Sequence, residues 1–319
     1  MSFLCFVCYG SFACSVGAAL PEIADRLNTD ETSLGILFTA RGCGFVAGTL
    51  VYSFLSDLHV FRHRKDILIA GSVFIGGIGA NVMSISTSHN TLIVSMFVLS
   101  TLFSGIDILS NIMLPNLWGL EVQPWLHALH ACWSIGGIIG PLLIGWVGYR
   151  RTNMWMSVLS TVPLLILFCT PSRAPMRTDS DQPRNVILSH STRFLFFGFY
   201  FLYVGLESGY GGWITAYAAN MELTPSQGAY LASLFYFSMS IGRIISVPLS
   251  LRYQPNTLMQ MQLIITVIGA FLALHCRGSG LGGASVYITC ALTTVLIGYG
   301  ISSIFPIGLT LPHEYKLDM

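Results

Sequence analysis

Ten apolar stretches of roughly 20 residues follow one another along this chain of 319 residues, and about 20 apolar residues is the length that crosses a bilayer as an α-helix. They run over 3–20, 34–55, 67–86, 92–114, 129–147, 154–169, 194–219, 229–251, 258–275 and 284–309. Backbone N–H and C=O groups find no water inside lipid, so a spanning segment must satisfy them internally. The expected fold is therefore all-α, a polytopic membrane protein. Small residues inside the stretches agree with it: Gly71, Gly76, Gly77 and Gly79 in the third, Gly136, Gly137 and Gly140 in the fifth. Such residues let helices approach closely in lipid.

Composition narrows the function. Charged residues make up 9% of the chain, against about 25% in soluble domains. The net charge of +1 leaves no basic footprint, so a nucleic-acid partner is not expected. Eight cysteines are scattered, with neither metal-ligand spacing nor the density of a disulfide framework. No metal site is expected. Residues 3–20 lack the positive stretch that precedes a signal sequence and read as a genuine first span. No His-Glu-x-x-His or Gly-x-Ser-x-Gly string occurs, so an enzyme is not expected. The sequence sets no oligomeric state.

Two carboxylates sit deep inside the apolar stretches, Asp107 in the fourth and Glu207 in the seventh. A charge at mid-membrane costs on the order of 3 kcal/mol on insertion scales and is usually kept for a proton relay, an ion site or a cargo contact. Spans and intramembrane acids together point to a transporter.

The interval 171–193 holds four arginines, two aspartates and three prolines, a composition that stays unfolded. It divides six spans (1–170) from four (194–319). With this linker in the cytoplasm, the inner side carries Arg62, Arg64, Lys65, Arg173, Arg177, Arg184, Arg193, Arg243, Arg252 and Lys316. The outer side carries only Arg26, Arg150, Arg151 and Arg277. The excess of basic residues inside places both termini in the cytoplasm.

Several constellations carry chemistry. Asp107 and Asn111 are four residues apart and share a helix face. An acid and an amide so placed bind a sugar hydroxyl, or a cation or proton together with a hydroxyl; the plain alternative is a hydrogen-bonded packing pair. In the seventh span, Gly209, Gly211 and Gly212 weaken the helix by about 1 kcal/mol each relative to alanine. Broken helices near the midplane expose backbone groups to cargo in transporters, so these glycines are candidate gating positions. Tyr210, Trp213 and Tyr217 beside them suit the apolar faces of a sugar ring, or else an interfacial aromatic belt. His130 with Trp133 in the fifth span is a cargo contact or a packing histidine. Asp57 followed by Arg62, His63, Arg64 and Lys65 forms an acid at a helix end before a basic cluster, able to latch neighbouring helices. Arg41 lies about 24 Å from Asp57 along the second span and Glu207 about 21 Å from Arg193 along the seventh. Similar depth makes them a candidate outer-gate pair.

These strings also resemble one family. The Ser53–Asp57 run with its basic cluster resembles the signature loop of the major facilitator superfamily, with Ser53 where a glycine is usual. Gly136-Gly137-Ile138-Ile139-Gly140-Pro141 resembles the Gly-Pro motif of that superfamily's fifth helix. Gly105-Ile106-Asp107 through Asn111 resembles the fourth helix of the L-fucose:proton symporters, where Asp107 falls on the proton-coupling acid. Tyr203 to Ala218, and Gly298 to Pro306, resemble the seventh and tenth helices of the sodium-dependent glucose transporter group. The resemblance implies a sugar symporter coupled to Na+ or H+, working by alternating access in the plasma membrane. On this reading Asp107 carries the ion with Glu207 assisting. Asn111, Tyr210, Trp213, Glu207 and His130 hold the sugar. Arg41, Asp57, Arg62, Arg64, Gly209, Gly211 and Gly212 gate. No organic cofactor is implied.

Two departures bear on this. The superfamily has twelve helices, against ten stretches here, so the second half is expected to be incomplete. The first stretch lacks the acid that fucose symporters carry there. The competing expectation is a truncated paralogue that binds a partner or regulates a relative without transporting.

Overall fold

The computed structural model describes residues 1–61, 64–118, 123–169, 189–250, 252–278, 283–305 and 307. Among them the secondary structure is helical without strands. The chain divides into two compact units, residues 1–183 and 184–319.

Unit 1 contains α1 (Ser2–Leu27), α2 (Ile36–Asp57), α3 (Lys65–Ile85), α4 (His89–Trp118), α5 (Gln123–Val147), α6 (Tyr149–Leu159) and α7 (Val162–Cys169). Unit 2 contains α8 (His190–Asn220), α9 (Pro225–Ser250), α10 (Pro255–Gly278) and α11 (Ala284–Ile301). Nine described segments are long and apolar enough to cross a membrane, with α6 and α7 together making one. α8 is not among them although it has 31 residues. Its glycines, tyrosines and Glu207 dilute the apolar content.

Local chemistry sets the boundaries. α1 continues through Pro21 and stops at Asn28, which takes the left-handed conformation (φ 48°), a conformation asparagine tolerates better than most residues. A short 3-10 turn, Glu31–Gly35, is capped by Asp30, whose carboxylate accepts the Thr32 N–H at 3.2 Å. The sixth span begins at Tyr149, five residues before the expected 154, so Arg150 and Arg151 lie in its first turn. It breaks at Ser160–Thr161. Pro163 then sits in the first turn of α7, where a missing N–H costs nothing.

In unit 1, α1 packs chiefly on α5, α2 on α4, and α3 on α4 and α6. Exchanging the first three helices with the last three maps the α1–α5 contact onto the α4–α2 contact. That is the signature of an inverted repeat. Both contacts rest on glycines four apart. Gly136 and Gly140 of α5 face the backbone of Val7 and Ser11 on α1, and Gly44 and Gly48 of α2 face that of Phe97 and Thr101 on α4. A side chain at any of these would strike main chain, which is why small residues occupy them.

Unit 2 repeats part of this plan. α9 packs on α11 through Gly242 against Ser302, as α2 packs on α4 through Gly48 against Ser104. α10 packs on α11 as α3 packs on α4.

Candidate functional site

In unit 1 the acid of α4 is held by its own helix. Asn111 Nδ2 donates to Asp107 Oδ1 at 3.2 Å and to the Asp107 carbonyl at 2.9 Å. The four-residue spacing thus brings both half-buried side chains together. One turn before Asp107 on the same face lies Phe103, whose ring meets Tyr9 at 5.3 Å and stacks on Phe12 at 6.0 Å. Tyr9 in turn meets Trp133 at 6.4 Å, edge to face. His130 is half-buried with its ring edge-on to Phe6 at 6.0 Å. α1, α4 and α5 therefore build an aromatic wall, with the acid–amide pair one turn along α4 from it. Phe6, Tyr9, Phe12 and Phe103 escaped sequence reasoning, because aromatic residues in an apolar stretch give no periodic signal that separates a cavity wall from a core.

In unit 2, α8 runs unbroken through Gly209, Gly211 and Gly212. This corrects the expectation of a break there. Continuous backbone bonding outweighs the propensity cost, and Gly211 instead makes room for Tyr236 and Phe235 of α9. A Cβ at Gly209 would meet open space. The Tyr210 hydroxyl bonds Thr294 Oγ1 on α11 at 3.0 Å, and its ring lies 5.1 Å from Phe235. Trp213 is half-buried. The Tyr217 hydroxyl donates to the Ala273 carbonyl of α10 at 2.8 Å. Glu207 is half-buried one turn after Tyr203, whose buried hydroxyl lies within electrostatic reach of both Glu207 and Arg243.

α11 ends at Ile301, and helical structure is interrupted at Ser302–Ser303 before resuming at 304–305. The Ser302 carbonyl is served from another helix. Arg243 Nε of α9 donates to that carbonyl at 3.1 Å. Gln262 of α10 accepts the Ser303 N–H at 3.2 Å, and its amide donates to Ser246 at 3.0 Å. Arg243, counted above among the inner basic residues, lies within α9, in a segment long and apolar enough to cross a membrane, and not in a loop.

The remaining gating candidates are dispersed. Asp57 is exposed at the end of α2, and Arg64 pairs with Asp66 at 3.3 Å in the first turn of α3 rather than with Asp57. That pair has a local reason, since an acid is favoured at a helix N-terminus. Arg62 lies outside the described residues, as does the linker from 171 to 188. Arg41 is half-buried on α2 and donates to the Ala13 carbonyl of α1 at 3.0 Å. Arg41 and Glu207 belong to different units and are described each within its own.

Two charges near the end of α1 were read only as loop features or not at all. Glu22 Oε2 accepts the Tyr149 N–H at the start of α6 at 2.8 Å. Arg26, one turn on, donates to the Met83 carbonyl at 3.3 Å and to the Ser84 carbonyl at the end of α3. An anion at a helix N-terminus and a cation at a C-terminus are each favoured by the helix dipole. Here they tie three helices together.

Comparison with known proteins supplies the family. The sequence profile of the Major Facilitator Superfamily matches residues 1–316. The chain is 23% identical to sodium-dependent glucose transporter 1A of Mus musculus, covering 97% of this chain and 80% of that protein. It is 21% identical to sodium-dependent glucose transporter 1 of Homo sapiens, covering 97% of this chain and 66% of that one. Its fold is similar to the crystal structures of a D-xylose-proton symporter (TM-score 0.73, 10% identity, 98% of this chain and 81% of that) and of the nucleoside transporter NupG (0.72, 16%, 99% and 81%). With nine described segments fit to cross a bilayer, this is an integral multi-pass membrane protein and a member of the major facilitator superfamily.

Proposed function

We propose that the chain is a secondary active transporter of a glucose- or fucose-like sugar, moved by alternating access in symport with Na+ or H+. The observation that carries this reading is the Asp107–Asn111 pair on α4, one turn from the aromatic wall of unit 1. A carboxylate inside a membrane unit is costly when charged, so loading a proton or a cation removes that cost and permits closure over the cargo. Asp107 takes the ion and Glu207 assists. Asn111 and Tyr210 bind sugar hydroxyls, Trp213 offers a ring face, and His130 contacts cargo from α5. Arg41, Asp57, Arg62, Arg64 and the glycines 209, 211 and 212 serve gating. The similarity to sodium-dependent glucose transporters and to a D-xylose-proton symporter supports sugar as cargo and either ion as the coupled one.

The membrane is the plasma membrane, with both termini and the linker 171–193 in the cytoplasm. The arrangement of a six-helix half at 1–170 and a four-helix portion at 194–319 belongs to the same proposal.

The test is uptake of radiolabelled glucose and fucose by cells expressing the chain, with and without Na+, at two pH values. Uptake above empty vector that depends on either ion supports the proposal. Surface protein without uptake of either sugar overturns it and favours a binding or regulatory role.

A further inference from the structure

We propose that Arg41 binds a single halide-sized anion, chloride in a cell, in a small cavity of unit 1. The inference stands on unit 1 alone and does not need the sugar reading. Ala13 of α1, Arg41 of α2, Ala80 of α3, and Tyr149 and Asn153 of α6 line this cavity, with apolar side chains of α4 closing it. It has room for the centre of about one water-sized particle.

The argument is one of charge. A guanidinium has five N–H donors and no acceptor. Within unit 1, the hydrogen-bond partner of Arg41 is the neutral Ala13 carbonyl, taken by one nitrogen. A cation inside a membrane unit is expensive without a counter-charge. Among the described residues, none lining the cavity is an acid. The helix register shows why the carboxylates of the packed helices do not serve. Gly44 lies against Phe97 and Gly48 against Thr101, which puts Arg41 level with Val94. Asp107 is thirteen residues further along α4, about 20 Å away. Glu22 is nine residues beyond Ala13 on α1, about 14 Å, and already accepts the Tyr149 N–H. Arg150 and Arg151 of α6 are exposed. The cavity is therefore a space of positive potential with one cation, an amide and a phenol at its wall. Its volume, about that of one water-sized particle, favours a monatomic ion over sulfate, phosphate or a carboxylate.

Chlorine NMR linewidth tests this on the purified chain in detergent. The wild type is expected to broaden the chloride line and to lose the excess on addition of bromide. Arg41→Gln is expected to abolish the excess broadening. Ala80→Leu, which fills the cavity with carbon and leaves Arg41 in place, is expected to do the same and covers the case in which Arg41→Gln fails to fold. Replacing gluconate by chloride should raise the unfolding midpoint of the wild type by about 3 °C and then saturate. Absence of excess broadening in the wild type, equal broadening in both variants, or competition by sulfate as strong as by bromide would each overturn the proposal.

Discussion

The two units use the same helix contacts but differ in what surrounds them. In unit 1 the first helix is enclosed: 83% of its apolar window is buried, and glycines seat it directly on the backbone of α5. In unit 2 the first helix, α8, packs chiefly on α9. Phe197, Phe201 and Leu202 each leave about 70% of their surface open. In unit 1 the α1–α5 and α2–α4 contacts rest on backbone-to-backbone approach, and Asp107 is bonded to Asn111 of its own helix. Unit 2 ties helices through long polar side chains, Gln262 and Arg243, that reach the end of α11. The lesson is that lipid leaves two ways to fasten helices, close contact of small residues and hydrogen bonds across the interface. Both units use both: Arg26 and Glu22 tie α1 to α3 and α6 in unit 1, and Gly298 and Gly300 of α11 approach the backbone of Phe235 and Gln262 in unit 2.

The largest test of that contrast compares glycines. Gly136→Leu would drive a side chain into the Val7 and Ser11 backbone. It should cost at least about 3 kcal/mol and remove the folded, monodisperse fraction on gel filtration. Gly209→Leu meets open space and should leave that fraction unchanged. Equal behaviour of the two would break the comparison.

Next in size is Gln262→Leu, which strands the Ser303 N–H inside unit 2. A loss of about 1–2 kcal/mol is expected, read from the thermal midpoint. An unchanged midpoint would mean that the polar ties of unit 2 are incidental. Smaller still is Tyr210→Phe, which removes the Thr294 bond and should cost about 0.6 kcal/mol. If Tyr210 holds a sugar hydroxyl, the same variant should raise the KM for sugar several-fold with kcat little changed. Comparable in size and opposite in sign is Gly209→Ala, expected to stabilise α8 by about 0.5 kcal/mol.

Much of this architecture was legible in the chain. The positions of the spans followed from apolar length, since lipid permits little else. The Asp107–Asn111 contact followed from four-residue spacing. The parts that were not legible depend on tertiary partners. Whether Gly209–Gly212 opens a helix depends on what α9 presents to it, and Tyr236 and Phe235 fill the space. The interruption after α11 depends on Arg243 and Gln262 of other helices, which bond Ser302 and Ser303. Glu22 and Arg26 looked like ordinary end charges until the ends of α6 and α3 were seen to lie against them. A single strand of sequence records the charge and not the helix end it caps.

The central claim is that Asp107 carries the coupling ion, and Asp107→Asn tests it most directly. The measurement is Na+- and pH-dependent sugar uptake by wild type and variant at matched surface expression. The account predicts that the variant loses the ion dependence, with any remaining uptake indifferent to Na+ and pH. Ion-dependent uptake retained at the wild-type level in Asp107→Asn would contradict it.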